Sequence, residues 1–191
     1  MVTPAVGSDS ERLIPRLRAA VRLGEPEAIA ARIKRDLVEL LAEGGLTLPE
    51  RYREPRTDTY ARRLFHRDAE LGFTVVAMAW GPGQGTSLHD HAGIWCVEGV
   101  VEGEMEVRRF ELESEEGERC RFAERGRVVA GRGSAGALIP PFEYHTLGNA
   151  LDDRPSLTLH VYGGEMDHCS VFEPQPDGTW RRCPRLLTYC D

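Results

Sequence analysis

The chain is predicted to be all-β, a sandwich or barrel with a short α-helical segment in front of it. Three observations carry this: short apolar or alternating runs separated by glycine, proline and acidic turns from Tyr60 onward; apolar residues at helical spacing before that; and a length of 191 residues, enough for one domain with a substantial core. The helical part is expected over residues 8 to about 45. Ile29, Ile33, Leu37 and Leu41 recur every fourth residue behind Pro26, and the pattern stops at Gly44-Gly45. Leu13, Leu17 and Val21 predict a less regular first helix, with Pro15 near its start because proline interrupts helical hydrogen bonding further in. Strands are expected at Tyr60–His66, Phe73–Trp80, Ser87–His91, Ile94–Glu102, Glu104–Leu112, Val128–Ala130, Ala137–Ile139, His145–Asn149, Leu157–Tyr162 and Cys169–Glu173. Glu113–Arg127 is so charged that it reads as an exposed hairpin tip or loop. The chain divides accordingly into a helical segment, 1–50, packed on a β domain, 51–191.

Composition narrows the function classes. Lysine and arginine number 24 against 31 aspartates and glutamates, a net charge of −7, and the arginines are dispersed; nucleic acid is not an expected partner. No apolar run approaches a membrane span, and the opening MVTPAVGSDSERLIP has neither a basic n-region nor a continuous apolar h-region. The expectation is a cytoplasmic monomer that acts on a small molecule and does not engage a membrane. Five cysteines, Cys96, Cys120, Cys169, Cys183 and Cys190, are an odd number without CxxC spacing, which fits neither a disulfide framework nor a tetrathiolate zinc site. Only Cys183 and Cys190 stand out as a pair that oxidation would join.

The strongest local signal is GPGQGTSLHDHAGIWCVEGVVEG. His89 and His91 are two apart, so in a strand both imidazoles face the same side and can share a metal. The frame around them is Gly83, five residues, His89-x-His91, four residues, Cys96, six residues and Gly103. That frame resembles the first cupin motif, with Cys96 where most cupins place a glutamate ligand. Pro140, Phe142, His145 and Asn149 resemble the second motif, with Phe142 where the family has glycine. The resemblance implies a cupin barrel, a double-stranded β-helix or jelly roll, with His89, His91 and His145 on one divalent metal. Three protein ligands leave positions open, as a catalytic metal requires. Imidazole suits several metals; iron, Fe(2+), is what the family implies.

Within the cupins the chain resembles the cysteine dioxygenase family from about Tyr60 to the end of the β domain. Tyr60-Ala61-Arg62-Arg63-Leu64 is similar to that family's Tyr-x-Arg strand. The resemblance makes Arg62 the clamp for a substrate carboxylate, which a guanidinium binds in bidentate fashion, with Tyr60 adding a hydroxyl. Cys96 stands where animal members carry the cysteine of a cysteine–tyrosine thioether, whose partner here would be Tyr162. Thr158, His160 and Tyr162 alternate along one strand and resemble the family's Ser-x-His-x-Tyr relay; His145 and His160 are 15 residues apart, as in the family. Asp167 and Cys169 resemble the family's Asp-x-Cys pair and are assigned structural roles. Trp80 is expected in the core or pocket wall, and Trp95, replacing a polar histidine, to reshape the substrate pocket. The activity implied is oxidation of cysteine's sulfur by dioxygen, in a cysteine-catabolic role. The alternatives are a 3-mercaptopropionate dioxygenase, whose relatives commonly carry glutamine at the Arg62 position, and a cupin that binds a metal or small molecule without redox turnover.

Overall fold

The computed structural model describes residues 9–42 and 46–190. Residues 8 and 43–45, including the Gly44-Gly45 helix stop, lie outside the described residues. Two helices, α1 (Asp9–Val21) and α2 (Pro26–Ala42), are followed by a single 3-10 turn at Glu50–Tyr52. Eleven strands follow: β1 (Ala61–Asp68), β2 (Phe73–Trp80), β3 (Leu88–His89), β4 (Cys96–Glu102), β5 (Glu104–Glu116), β6 (Arg119–Gly131), β7 (Ala135–Leu138), β8 (His145–Asn149), β9 (Ser156–Tyr162), β10 (His168–Pro174) and β11 (Trp180–Leu186). Pro15 is the seventh residue of α1 rather than near its start. The hydrogen bond lost there is offset by Leu13, Leu17 and Ala20, all fully buried against the sheet.

The strands form two sheets. One is five-stranded in the order β1-β2-β9-β4-β7; the other closes as β10-β11-β6-β5-β8-β3. The barrel and helices together give the cupin architecture. All eight residues of β2 are buried, because one face of the five-stranded sheet lies under the helices and the other faces the barrel interior. Val75, Ala77, Ala79, Val97, Leu159 and Val161 meet the helical stripe Ile29, Ile33, Leu37 and Leu41; Val76, Met78, Trp80, Cys96 and Tyr162 point inward. α2 packs over Gly99, where an added Cβ would meet the Leu41 and Leu37 methyls at ordinary contact distances of 3.4 and 3.5 Å.

The charged stretch Glu113–Arg127 is largely strand, and only Gly117 and Glu118 make the turn of the β5–β6 hairpin. Its exposed face carries ion pairs such as Arg125–Glu111 and Arg182–Glu115. Cys120 and Phe122, two apart, point inward with Phe172 and Leu88. Phe122 meets Phe172 and Tyr144 at 4.8 and 5.1 Å, which anchors the hairpin to the barrel. Strand β11, not foreseen, pairs with β10 and β6 and closes the ring.

Gly103 makes the turn from β4 to β5 at φ +75, and a Cβ there would stand 2.2 Å from Ser156 Oγ. Ser156 in turn bonds the Glu104 amide and Asn149 Oδ1. Gly103→Ala is therefore expected to lower unfolding free energy by roughly 2–4 kcal/mol in denaturant titrations, and a loss near zero would contradict this packing.

Candidate metal centre

The closed sheet brings distant histidines together. His89 in β3 and His145 in β8 are direct partners across the antiparallel ladder. His91 follows at a tight turn in which Ala92 and Gly93 both have positive φ, 51 and 80. Asp90 fixes that turn: its Oδ1 accepts from the Ala92 and Ser170 amides at 3.2 and 2.8 Å. Nothing in the motif's spacing singled out Asp90. The three rings have centroid separations of 5.4, 4.5 and 5.0 Å, and one donor atom from each lies within 4.8 Å of the others.

The donor set fits a divalent metal. Nδ1 of His89 and of His145 lie 3.0 and 2.8 Å from the carbonyls of Ser87 and Glu143, so each ring can donate there and keep Nε2 for a metal. His145 Nε2 and His91 Nδ1 are buried without a hydrogen-bond partner. Burial lowers the pKa of all three imidazoles; neighbouring histidines lower those of His91 and His145 further, and the Arg62 charge that of His89, so all three stand neutral and ready to ligate near pH 7.

Beside them lies the strand pair β4–β9, where Cys96 faces Tyr162, Glu98 faces His160 and Val100 faces Thr158. Thr158, His160 and Tyr162 do share one face. The Trp80 indole donates to Thr158 Oγ1 at 2.8 Å, leaving that hydroxyl free to donate to His160 Nε2, also at 2.8 Å. The His160 proton then sits on Nδ1, 3.5 Å from Glu98 Oε2. The His160 and Tyr162 rings stack at 6.0 Å and 16°. The Tyr162 side chain is a hydrogen-bonding neighbour of the Cys96 thiol. Burial pushes both the Cys96 thiol and the Tyr162 phenol well up, so both are protonated.

Glu98 is the functional candidate that sequence reasoning missed. It sits among Cys96, His160 and His145, with Oε2 3.8 Å from His145 Nε2. Burial pushes its carboxyl up to about 8. The available signal was parity: two residues past Cys96 on one strand, it had to face the same way.

The native protein holds this proton between pH 4.5 and about 8 while the unfolded chain has released it, so stability from this group falls as pH rises through that window. The depressed histidines act oppositely, costing stability below their ordinary 6.5. In metal-free protein, Glu98→Gln should thus gain about 2 kcal/mol over the unsubstituted chain between pH 6.5 and 8. Parallel denaturant profiles at the two pH values would contradict this.

A cavity of about 100 Å³ brings Tyr60, Arg62, His89, His91, His145, His160 and Tyr162 together, with Trp80, Cys169 and Arg185 also in its wall. Arg62 is buried, at 5% exposure, and donates to the carbonyls of Met166 (2.9 Å) and Thr188 (3.3 Å); no described carboxylate pairs with it. Tyr60 stacks on Trp80 at 4.3 Å. Trp95 does not reshape this cavity: it packs toward the helical side, against Gly163. Asp167 lies at the surface beside His168. All five cysteines are free thiols, Cys183 and Cys190 included. No described helix is long and apolar enough to cross a membrane.

A family model described as cysteine dioxygenase type I matches residues 36–175. Cysteine dioxygenase type 1 of Danio rerio is 23% identical over 101 residues, 53% of this chain and 50% of the relative. The Homo sapiens protein of the same name is 24% identical over 102 residues, with the same two shares, 53% and 50%. The match thus spans about half the length of these curated relatives. Among solved structures, an uncharacterized conserved protein with a double-stranded beta-helix domain from Klebsiella pneumoniae aligns with a TM-score of 0.48 at 17% identity, over 63% of this chain and 85% of that one.

Proposed function

The chain belongs to the cysteine dioxygenase type I family, and from that premise we propose that it is an iron-dependent thiol dioxygenase, which converts L-cysteine to cysteine sulfinic acid. The observation that carries the reading is that three neutral imidazoles and an arginine paired with no described carboxylate share one small cavity. His89, His91 and His145 would hold the iron, which would supply a redox-active Lewis acid able to lower a thiol's pKa. Arg62, oriented by the Met166 and Thr188 carbonyls, receives the substrate carboxylate, and Tyr60 adds a hydroxyl. Tyr162 presents a protonated phenol to the reacting space, while Trp80 and Thr158 hold the neighbouring His160 ring. The balance is thiol plus dioxygen to sulfinic acid: the S–H and O–O bonds break, two S–O bonds form, four electrons pass from sulfur to the two oxygen atoms, the proton leaves with the product acid, and no external reductant enters.

A second reading, 3-mercaptopropionate as the substrate, is favoured by one observation. No described residue of the cavity wall is acidic, so the ammonium of cysteine meets no counter-ion among them, whereas Arg62 and Arg185 serve either carboxylate. Steady-state kinetics on both thiols decide: a higher kcat/KM for cysteine supports the first reading, and a strong preference for 3-mercaptopropionate replaces it.

Cys96 and Tyr162 stand opposite each other in the ladder, and a thioether between them, formed with dioxygen as the oxidant, would remove two hydrogens. Intact mass after turnover is expected two hydrogens below the sequence mass; an unshifted mass would contradict the crosslink.

A further inference from the structure

A second cavity, about 430 Å³, reaches the same layer of polar residues by a different way. Apolar side chains, among them Met105, Val107, Ala130, Leu138 and Leu147, make up most of its wall, with Ser134 the uncharged polar exception besides Thr158. It ends on Thr158 and Glu98. Thr158 bonds His160 at 2.8 Å, and Glu98 reaches both His160 and His145. Leu147 lines both cavities, and so forms the partition between them. Glu98 is buried, at 9% exposure, and its Oε2 has no hydrogen-bond partner among the described residues. Gly136 faces Glu98 across the β4–β7 ladder, where a Cβ would stand 3.7 Å from Glu98 Oε1; the missing side chain leaves the passage open.

We propose that this apolar cavity conducts dioxygen to the imidazole cluster past Leu147 and Thr158, separately from the thiol acid, which enters the cavity of Arg62. The proposal rests on the thiol dioxygenase reading. A thiol acid paired with Arg62 occupies much of a 100 Å³ space, so a second reactant arriving by the same mouth meets a filled site. The larger cavity offers no buried cation to a carboxylate; its only cations, Lys34 and Arg109, are exposed at the rim. Its largely apolar wall suits a small uncharged molecule, and apolar protein cavities take up xenon and benzene readily.

Two measurements test the route. Xenon-pressurised crystals of the unsubstituted protein are expected to show xenon between Leu138 and Leu147, and Gly136→Leu should exclude it. In steady-state kinetics, Gly136→Leu, or Ala130→Trp from the opposite wall, should raise KM for dioxygen about fivefold or more, with KM for the thiol changed less than about twofold. Absence of xenon from the cavity, or an unmoved KM for dioxygen in both variants, overturns the route. Xenon bound in a protein that consumes no dioxygen with any thiol overturns the functional reading, and the route with it.

Discussion

Alanine in place of His91 is expected to weaken iron binding by at least about 100-fold and to abolish thiol-dependent dioxygen uptake, since even outer-shell partners of a metal ligand are worth 10–100-fold. His91 is 1% exposed, its Nδ1 has no partner, and its ring lies 5.0 and 5.4 Å from those of His145 and His89. Burying three imidazoles together without a ligand is costly, because each buried ring nitrogen left unpaired carries a desolvation penalty. Metal analysis of the purified variant, with circular dichroism to verify the fold, measures the effect. A folded His91→Ala protein that keeps one iron per chain would contradict the assignment.

Arg62→Gln is expected to lower kcat/KM for cysteine by about 100-fold, the range for removing one partner of a buried charge pair. Arg62 spans the cavity wall between two carbonyl acceptors and lies over the Tyr189 ring at 5.3 Å, so its guanidinium is held rather than free to swing. Glutamine retains a donor for one carbonyl but no charge for the substrate, which separates substrate binding from local support. The loss should appear mainly in KM, and a change below about threefold would show that the carboxylate binds elsewhere.

Much of the site was legible because strand periodicity is a strict rule. Thr158-x-His160-x-Tyr162 needed only a period of two to place its side chains, and the β4–β9 ladder obeys it; His91, expected on the strand of His89, instead lies beyond the end of β3, in the turn that Asp90 holds. The meeting of His145 with His89 depends on β3 and β8 lying side by side, a long-range fact that spacing does not contain; only the resemblance supplied it. Glu98 was hidden because a glutamate in CVEGVVEG reads as solvent-facing, although its parity with Cys96 turns it inward. Burial of an acid is the exception, and here its neighbours are imidazoles rather than a cation.

The fold shows the same division. The eight-residue run of β2 and the fourfold spacing of α2 announce themselves. The first half of β6 does not, because its arginines and glutamates dominate the composition while only Cys120 and Phe122 face inward. Strand β11, with Pro184 and three arginines, lacks the apolar alternation of a strand; pairing with β10 and β6 determines it. Trp95 illustrates the reverse error: adjacent to Cys96, it packs against the helical-side core, whereas Cys96 belongs to the barrel interior.

The account stands or falls on what iron-loaded protein makes from cysteine under isotopically labelled dioxygen. The expected product is cysteine sulfinic acid carrying both labelled oxygen atoms, formed in equal amount to the dioxygen consumed. Iron bound at the three histidines with no sulfinate from cysteine or 3-mercaptopropionate, or sulfinate whose oxygen comes from water, would contradict it.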